Sequence, residues 1–170
     1  MSRFLSMNES DFDRIEASHA GTALSIATGV SQLSEDSYTI ALVGDGTLVE
    51  GMTWEGLNFA SQCSKLIIVL NDNEIAIDKN VGSINDMFTS LDWEAKSRNF
   101  FSALGFQYIA VRDGHSIPNL VNAMETAKSL NSPTIIHAKT IKGNGLEIAD
   151  KHPYRLHFSQ PYNRKDISST

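Results

Sequence analysis

The 170-residue sequence predicts an α/β fold: a parallel sheet with helices on both faces. Three observations carry that expectation. Short apolar, β-branched runs alternate with segments whose apolar residues recur at helical spacing. The run at 65–70 is unbroken rather than alternating, as in a strand covered on both faces. Polar residues follow directly on the strands, and that edge is where open α/β sheets carry their ligands.

The elements follow in order. Residues 1–18 are polar and acidic for most of their length and read as an N-terminal arm. From 22 to 33, Ala23, Ile26, Ala27 and Val30 recur at helical spacing and predict a helix with a small-residue face. Residues 38–43 read as a buried strand, broken by Gly44-Asp45-Gly46. A helix over 54–61 buries Trp54, Leu57 and Ala60, and the second strand is 65–70. Residues 71–87 read as a long polar loop containing Gly82. Asp92 is placed to cap a helix over 93–104 that Gly105 ends. A third strand at 106–111 leads through Asp113-Gly114 to a helix over 117–130. Asn131-Ser132-Pro133 then turns the chain into a fourth strand at 134–138. The core domain is expected over 19–145, and 146–170 reads as a loop-rich tail closing the site.

Composition narrows the function. Hydrophobic residues make up 41% and the formal net charge is −6, which argues against a nucleic-acid binder and its basic face. An anionic ligand is still compatible, because backbone N–H groups and a metal hold phosphate without basic side chains. Cys63 is the single cysteine, so no internal disulfide forms, and a buried, inert thiol is expected. No apolar run approaches the ~20 residues of a membrane helix, and the first residues lack a signal-peptide core. A cytoplasmic protein is the expectation.

Two segments carry chemistry. Gly44-Asp45-Gly46-Thr47 and Asn71-Asp72-Asn73-Glu74-Ile75 each end an apolar strand. If the strands are neighbours, Asp45 faces Asn73. A carboxylate, an amide oxygen and a backbone carbonyl then form an all-oxygen set suited to Mg²⁺, which completes its shell with water and phosphate. Gly46 permits a sharp turn and close approach of a phosphate, and the Gly46 and Thr47 N–H groups lie near a helix start that favours an anion. Taken singly, G-D-G is a common turn and N-D-N a common loop; their coupling across one crossover helix makes the functional reading worth pursuing.

At this point the sequence resembles a known family. Gly44-Asp45-Gly46 followed by a crossover and Asn71-Asp72-Asn73 is similar to the thiamine-diphosphate motif. More narrowly, the chain resembles the N-terminal domain of 1-deoxy-D-xylulose-5-phosphate synthase, a relative of transketolase. His19-Ala20-Gly21-Thr22-Ala23-Leu24-Ser25 stands where the family has H-S-S-T-S-I-S. Further matches are 44–58, 68–77, Asn80-Val81-Gly82, Leu104-Gly105-Phe106, Asp113-Gly114-His115, Lys142-Gly143-Asn144-Gly145 and His157.

The resemblance implies a thiamine-diphosphate-binding fold in which Asp45, Asn73 and the Ile75 carbonyl hold Mg²⁺. It places His19, Gly46 and Thr47 at the diphosphate and Lys142 near the phosphates or substrate channel. His157, the one catalytic candidate, approaches the diphosphate or the reacting carbonyl. His115 reads as a turn residue and His137 as structural, and His152 has no case. Asp72 and Glu74 are either supporting groups or a solvated loop face. Trp54 and Trp93 read as core or interface anchors.

The same resemblance shows what is lacking. Enzymes of this family activate the cofactor with a glutamate on a separate pyrimidine-binding domain, and no glutamate here matches it. The synthase also has a longer segment before the family histidine, a longer loop after the Asn80-Val81-Gly82 match, and G-T-G where this chain has Glu16-Ala17-Ser18. The expectation is a subunit of a split enzyme, completed by a partner chain in a heterodimer or heterotetramer. Its chemistry would be transfer of a two-carbon ketol or acyl unit to an aldehyde, with a sugar phosphate, 2-oxoacid or aldehyde as substrate. Two alternatives remain: the α subunit of a 2-oxoacid dehydrogenase or acetoin-type enzyme, and a non-catalytic scaffolding remnant.

Overall fold

A computed structural model describes residues 6–9, 15–33, 36–151 and 157. The strands are β1 (Thr39–Gly44), β2 (Leu66–Asp72), β3 (Gln107–Val111) and β4 (Thr134–Lys139). They form one sheet in the order β1-β2-β4-β3, and every pairing is parallel. The helices are α1 (Ala23–Leu33), α2 (Gly51–Ala60), α3 (Ser83–Thr89), α4 (Trp93–Ala103), α5 (Ile117–Leu130) and the short α6 (Glu147–Asp150). The parallel α/β sheet expected from the sequence is therefore present.

Alternation along the strands sorts side chains onto two faces. Leu66, Ile68 and Leu70 of β2 join Ala41, Val43, Tyr108 and Ile135 in a core covered by α1, α2, α3 and α4. Ile67, Ile136 and Ala138 face Ala123 and Ala127 of α5. Central β2 and β4 are buried along most of their length, as an unbroken apolar run requires.

Local signals explain where several elements stop. Helix α5 begins where Ser116 Oγ accepts the Asn119 N–H, carries Pro118 in its first turn, and ends at left-handed Asn131. Gly105 supplies the positive φ of 94° that stops the chain after α4.

Four expectations need correction. Residues 71–87 are not a continuous loop: β2 runs on to Asp72, and α3 starts at Ser83 directly after Gly82. Strand β1 is not buried on both faces. Ala41 and Val43 are buried, whereas Ile40 and Leu42 are 55% and 68% exposed, because β1 is an edge strand and among the described residues no helix covers its second face. The buried face of α1 is Leu24, Ala27, Thr28 and Ser31, rotated from the expected stripe. Asp92 makes no side-chain cap bond to α4; it pairs with Lys96 one turn on. Of the expected loop-rich tail, the described part holds the short α6, while residues 152–156, with His152, and 158–170 lie outside the described residues.

Phe101 sits at the centre of the larger core, 1% exposed, against Phe88, Phe100 and Tyr108. Phe101→Ala is expected to lower unfolding stability by about 3–5 kcal/mol, read as a shift in the urea midpoint at unchanged slope.

Candidate functional site

Because all four strands are parallel, their carboxyl ends share one edge. Gly44 pairs with Asn71, so Asp45 and Asp72 emerge side by side one residue later. On the other flank of β2, Asp72 pairs with Lys139. Asn73, Glu74 and Ile75 cross this edge immediately afterwards.

Asp45 is 5% exposed at the start of a 3-10 turn, Asp45–Val49. Its Oδ2 accepts a hydrogen bond from Asn80 Nδ2 at 2.7 Å. Burial pushes its pKa above the ordinary 3.8 and the neighbouring Asp72 charge adds to the push; the backbone N–H groups of Gly46 and Glu74 pull the other way without cancelling it. A buried carboxylate in that state gains from a nearby cation.

The loop after β2 is tightly shaped. Asp72 Oδ1 accepts the Glu74 N–H and Asn73 Oδ1 accepts the Ile75 N–H, each at 3.2 Å. Glu74 takes a φ of 65°, a left-handed conformation that costs a non-glycine residue roughly 1–2 kcal/mol. Ile75 bridges Lys79, closing a small turn. Between this loop and the Asp45 turn lies a cavity of about 10 Å³, bordered by Asp45, Asp72, Glu74 and Asn80.

A Cβ on Gly46 would fall 2.7 Å from Ala76 Cβ, so glycine lets the turns after β1 and β2 pack against each other. The close approach that glycine permits is thus first of all to the protein's own loop. Thr47 is buried, and its hydroxyl donates to the Gly44 carbonyl at 2.7 Å. Lys142 Nζ donates to the Ala76 carbonyl and to His157 Nδ1, the latter at 2.8 Å. Burial lowers the Lys142 pKa while Asp45 opposes that shift, which places the ammonium within electrostatic reach of the carboxylate.

The structure thus gathers Asp45, Gly46, Asn73, Ile75, Lys142 and His157 around the turn at Ala76. His19 stands elsewhere: it is exposed and lines, with Gly44 and Thr47, an open groove of about 660 Å³ along β1 and α1. His115 is a turn residue, its Nε2 accepting the Ile141 N–H at 2.8 Å. Trp54 packs edge-on against Phe100.

Sequence reasoning missed a buried polar chain. Tyr108 Oη meets His137 Nδ1 at 2.8 Å, His137 Nε2 meets Asp72 Oδ2 at 2.6 Å, and Lys139 Nζ reaches the same oxygen at 2.8 Å. Both Asp72 and His137 are 0% exposed, which removes the solvated-loop reading of Asp72. Glu74 is half-exposed and pairs with Lys139 at 2.9 Å. Burial holds the His137 pKa below its ordinary 6.5, and burial also pushes the Tyr108 phenol well up. A neutral imidazole therefore accepts from the phenol at Nδ1 and donates to Asp72 from Nε2. Burial alone would raise the Asp72 pKa, but the bonds from His137 and Lys139 hold it below 3.8. The available signal was His137 itself, since a polar ring inside an apolar strand needs a partner.

Among the described residues no group of three or more His, Cys, Asp or Glu is placed to hold a metal, so any cation here would depend on amide, carbonyl and ligand oxygens. No helix among them is long and apolar enough to cross a membrane.

Comparison with known proteins adds a family. The 1-deoxy-D-xylulose-5-phosphate synthase N-terminal model matches residues 1–99 and 93–140. The synthase of Myxococcus xanthus is 38% identical over 169 residues, covering 96% of this chain and 28% of the relative. That of Clostridium acetobutylicum is 32% identical over 207 residues, covering 97% and 33%. The chain therefore spans about a third or less of these relatives. Among solved structures, transketolase from Campylobacter jejuni is similar, with a TM-score of 0.53 and 28% identity over 74% of this chain and 20% of that one.

The pKa shifts of His137 and Asp72 have the same sign for folding. Each is lowered, so the unfolded chain binds more protons as pH falls, first through 6.5 and then through 3.8. Asp45, with a raised pKa, opposes them only in the lower window. The metal-free chain should hold its full stability above pH 6.5 and lose it progressively below. In His137→Gln the upper part of that loss should flatten, as measured by urea midpoints from neutral pH down to about 5.

Proposed function

The chain belongs to the 1-deoxy-D-xylulose-5-phosphate synthase family, and we propose from that premise that it is the diphosphate- and magnesium-binding part of a thiamine-diphosphate-dependent transferase. The reaction we assign is movement of a two-carbon ketol or acyl unit to an aldehyde. The observation that carries the reading is Asp45: a desolvated carboxylate at the carboxyl edge of a parallel sheet, set against the loop that bears Asn73 and Ile75.

The residues present fit the group. Asp45, Asn73 Oδ1 and the Ile75 carbonyl offer three hard oxygens of different charge, the kind Mg²⁺ takes when phosphate completes its shell. The cation would relieve the burial cost of Asp45. Gly46, Thr47 and His19 are assigned to the diphosphate side, with Thr47 fixed by its bond to Gly44. Lys142, tethered at Ala76, would offer positive charge to the phosphates and hold His157 beside them. We assign His157 to proton handling at the reacting carbonyl, with Nδ1 occupied by Lys142. Bound thiamine diphosphate would supply the nucleophilic carbon and the electron sink.

We propose that the activating glutamate comes from a pyrimidine-binding domain on a separate subunit, in a heterodimer or heterotetramer. Exposed Val49 and Met52, flanking the turn after Asp45, offer apolar surface for such a partner. The single buried thiol suits a reducing compartment, and we place the protein in the cytoplasm. The family match supports the synthase type over the α subunit of a 2-oxoacid dehydrogenase or acetoin-type enzyme.

Calorimetric titration of thiamine diphosphate into the full chain with its partner tests the site. Magnesium-dependent binding is expected, abolished by chelation, with Asp45→Ala weakening it at least as much as the roughly 10–100-fold typical of losing a mere supporting partner of a metal ligand. Unchanged binding and activity in Asp45→Ala would instead favour a scaffolding subunit.

A further inference from the structure

We infer that Asp72, His137 and Lys139 are positioning residues for the cation-binding loop: they lock Asn73-Glu74-Ile75 in its working shape from inside the core. The inference rests on the magnesium-site reading above and extends it to residues that touch neither the cation nor the diphosphate.

The geometry is that of a bracket. Asp72 Oδ1 accepts the Glu74 N–H, while Oδ2 is gripped by His137 Nε2 at 2.6 Å and Lys139 Nζ at 2.8 Å. The same ammonium binds Glu74 Oε1 and the Phe88 carbonyl, each at 2.9 Å, and so joins the loop to α3. His137 is in turn fixed by Tyr108 and wedged between the Phe88 and Trp93 rings, with centroids at 4.7 and 4.8 Å. Both faces of Glu74, its N–H and its carboxylate, are thereby held by groups on strands. Glu74 is also the residue with the left-handed backbone between the two proposed loop ligands. A non-glycine residue keeps that conformation only where its surroundings over-determine it. Release of Asp72 would free Glu74 and turn the Asn73 amide and Ile75 carbonyl away from a common point.

A second consequence concerns charge. Asp72 and Asp45 are adjacent across the sheet edge, yet of these two carboxylates Lys139 pairs with Asp72. Asp45 is left as the carboxylate that a cation meets.

The test measures thiamine-diphosphate affinity across a magnesium series, by calorimetry, on the full chain with its partner. His137→Phe suits its aromatic surroundings and deletes only the polar links. It should fold cooperatively, weaken binding by about 10–100-fold, and raise the magnesium concentration needed for half-saturation. His137→Gln, whose amide nitrogen can donate where the imidazole Nε2 does, should recover most of the loss. Lys139→Met, at a site nearer solvent, should show the same magnesium signature and decides the matter if His137→Phe does not fold. Ala127→Gly destabilises the opposite core and should leave affinity unchanged, which separates positioning from stability. Wild-type affinity and magnesium dependence in folded His137→Phe and Lys139→Met would overturn the inference. If wild type shows no magnesium-dependent binding, or Asp45→Ala keeps it, the underlying site reading is what fails.

Discussion

A carboxylate with no access to water must be met by donors, and Asp72 imposes that requirement on the centre of this fold. Its partners lie on β4, so the β2–β4 register must bring His137 and Lys139 to the face that carries Asp72. A slip of one residue would turn both away, leaving a bare charge in the core and two apolar side chains in its place. Burial of hydrocarbon holds the sheet together, but many registers bury similar amounts of it. The Asp72 cluster distinguishes one register from the others. The positions of Asp45 beside Asp72, and of the loop beyond β2, follow from that choice.

Much of the architecture was legible in the sequence because its elements are locally self-consistent. Helix α5 is legible at both ends, since Asp113-Gly114 before it and Asn131-Ser132-Pro133 after it punctuate the chain without tertiary help. The thiamine-enzyme resemblance and the parallel α/β fold were likewise readable from ordered motifs and alternation. Failures came where tertiary context outweighs local pattern. Residues 83–89 carry four polar residues against three large apolar ones, and the segment is helical because Phe88 reaches the core. In β1 the apolar run reads as a buried strand, but Ile40 and Leu42 are exposed on an edge strand. Composition alone does not reveal which strand lies at an edge.

The candidate site divides along the same line. Asp45 and Asn73 could be found because each follows its strand directly and both recur in a known motif. The chain from Tyr108 through His137 to Asp72 crosses β3, β4 and β2, and the sheet neighbours β2 and β4 are not consecutive in sequence. Its members share a face only under the order β1-β2-β4-β3. Tyr108 lies two residues before the strand partner of His137, and Asp72 two residues after it on the other side. That diagonal is plain once the register is known and invisible before. Reading His137 as structural was right about its burial and blind to what it holds.

Two neighbouring carboxylates receive opposite treatment at this edge, and the contrast is the strongest physical argument for a cation. Both lose water. Asp72 is repaid by an imidazole and an ammonium, and its pKa falls. Asp45 is offered backbone N–H groups, Gly46 and Glu74 foremost, and the Asn80 amide, which leave its pKa raised. A fold selected for stability alone would neutralise both or replace Asp45 with an apolar residue, since an incompletely paired buried charge weakens the folded state. Keeping Asp45 desolvated with a raised pKa is what the proposed reading expects, where a divalent ion would arrive with its own ligand and add to the charge that Lys142 brings within reach. On that reading, the cost of the buried Asp45 would reappear as affinity for the ion, the exchange of stability for function that binding sites commonly make.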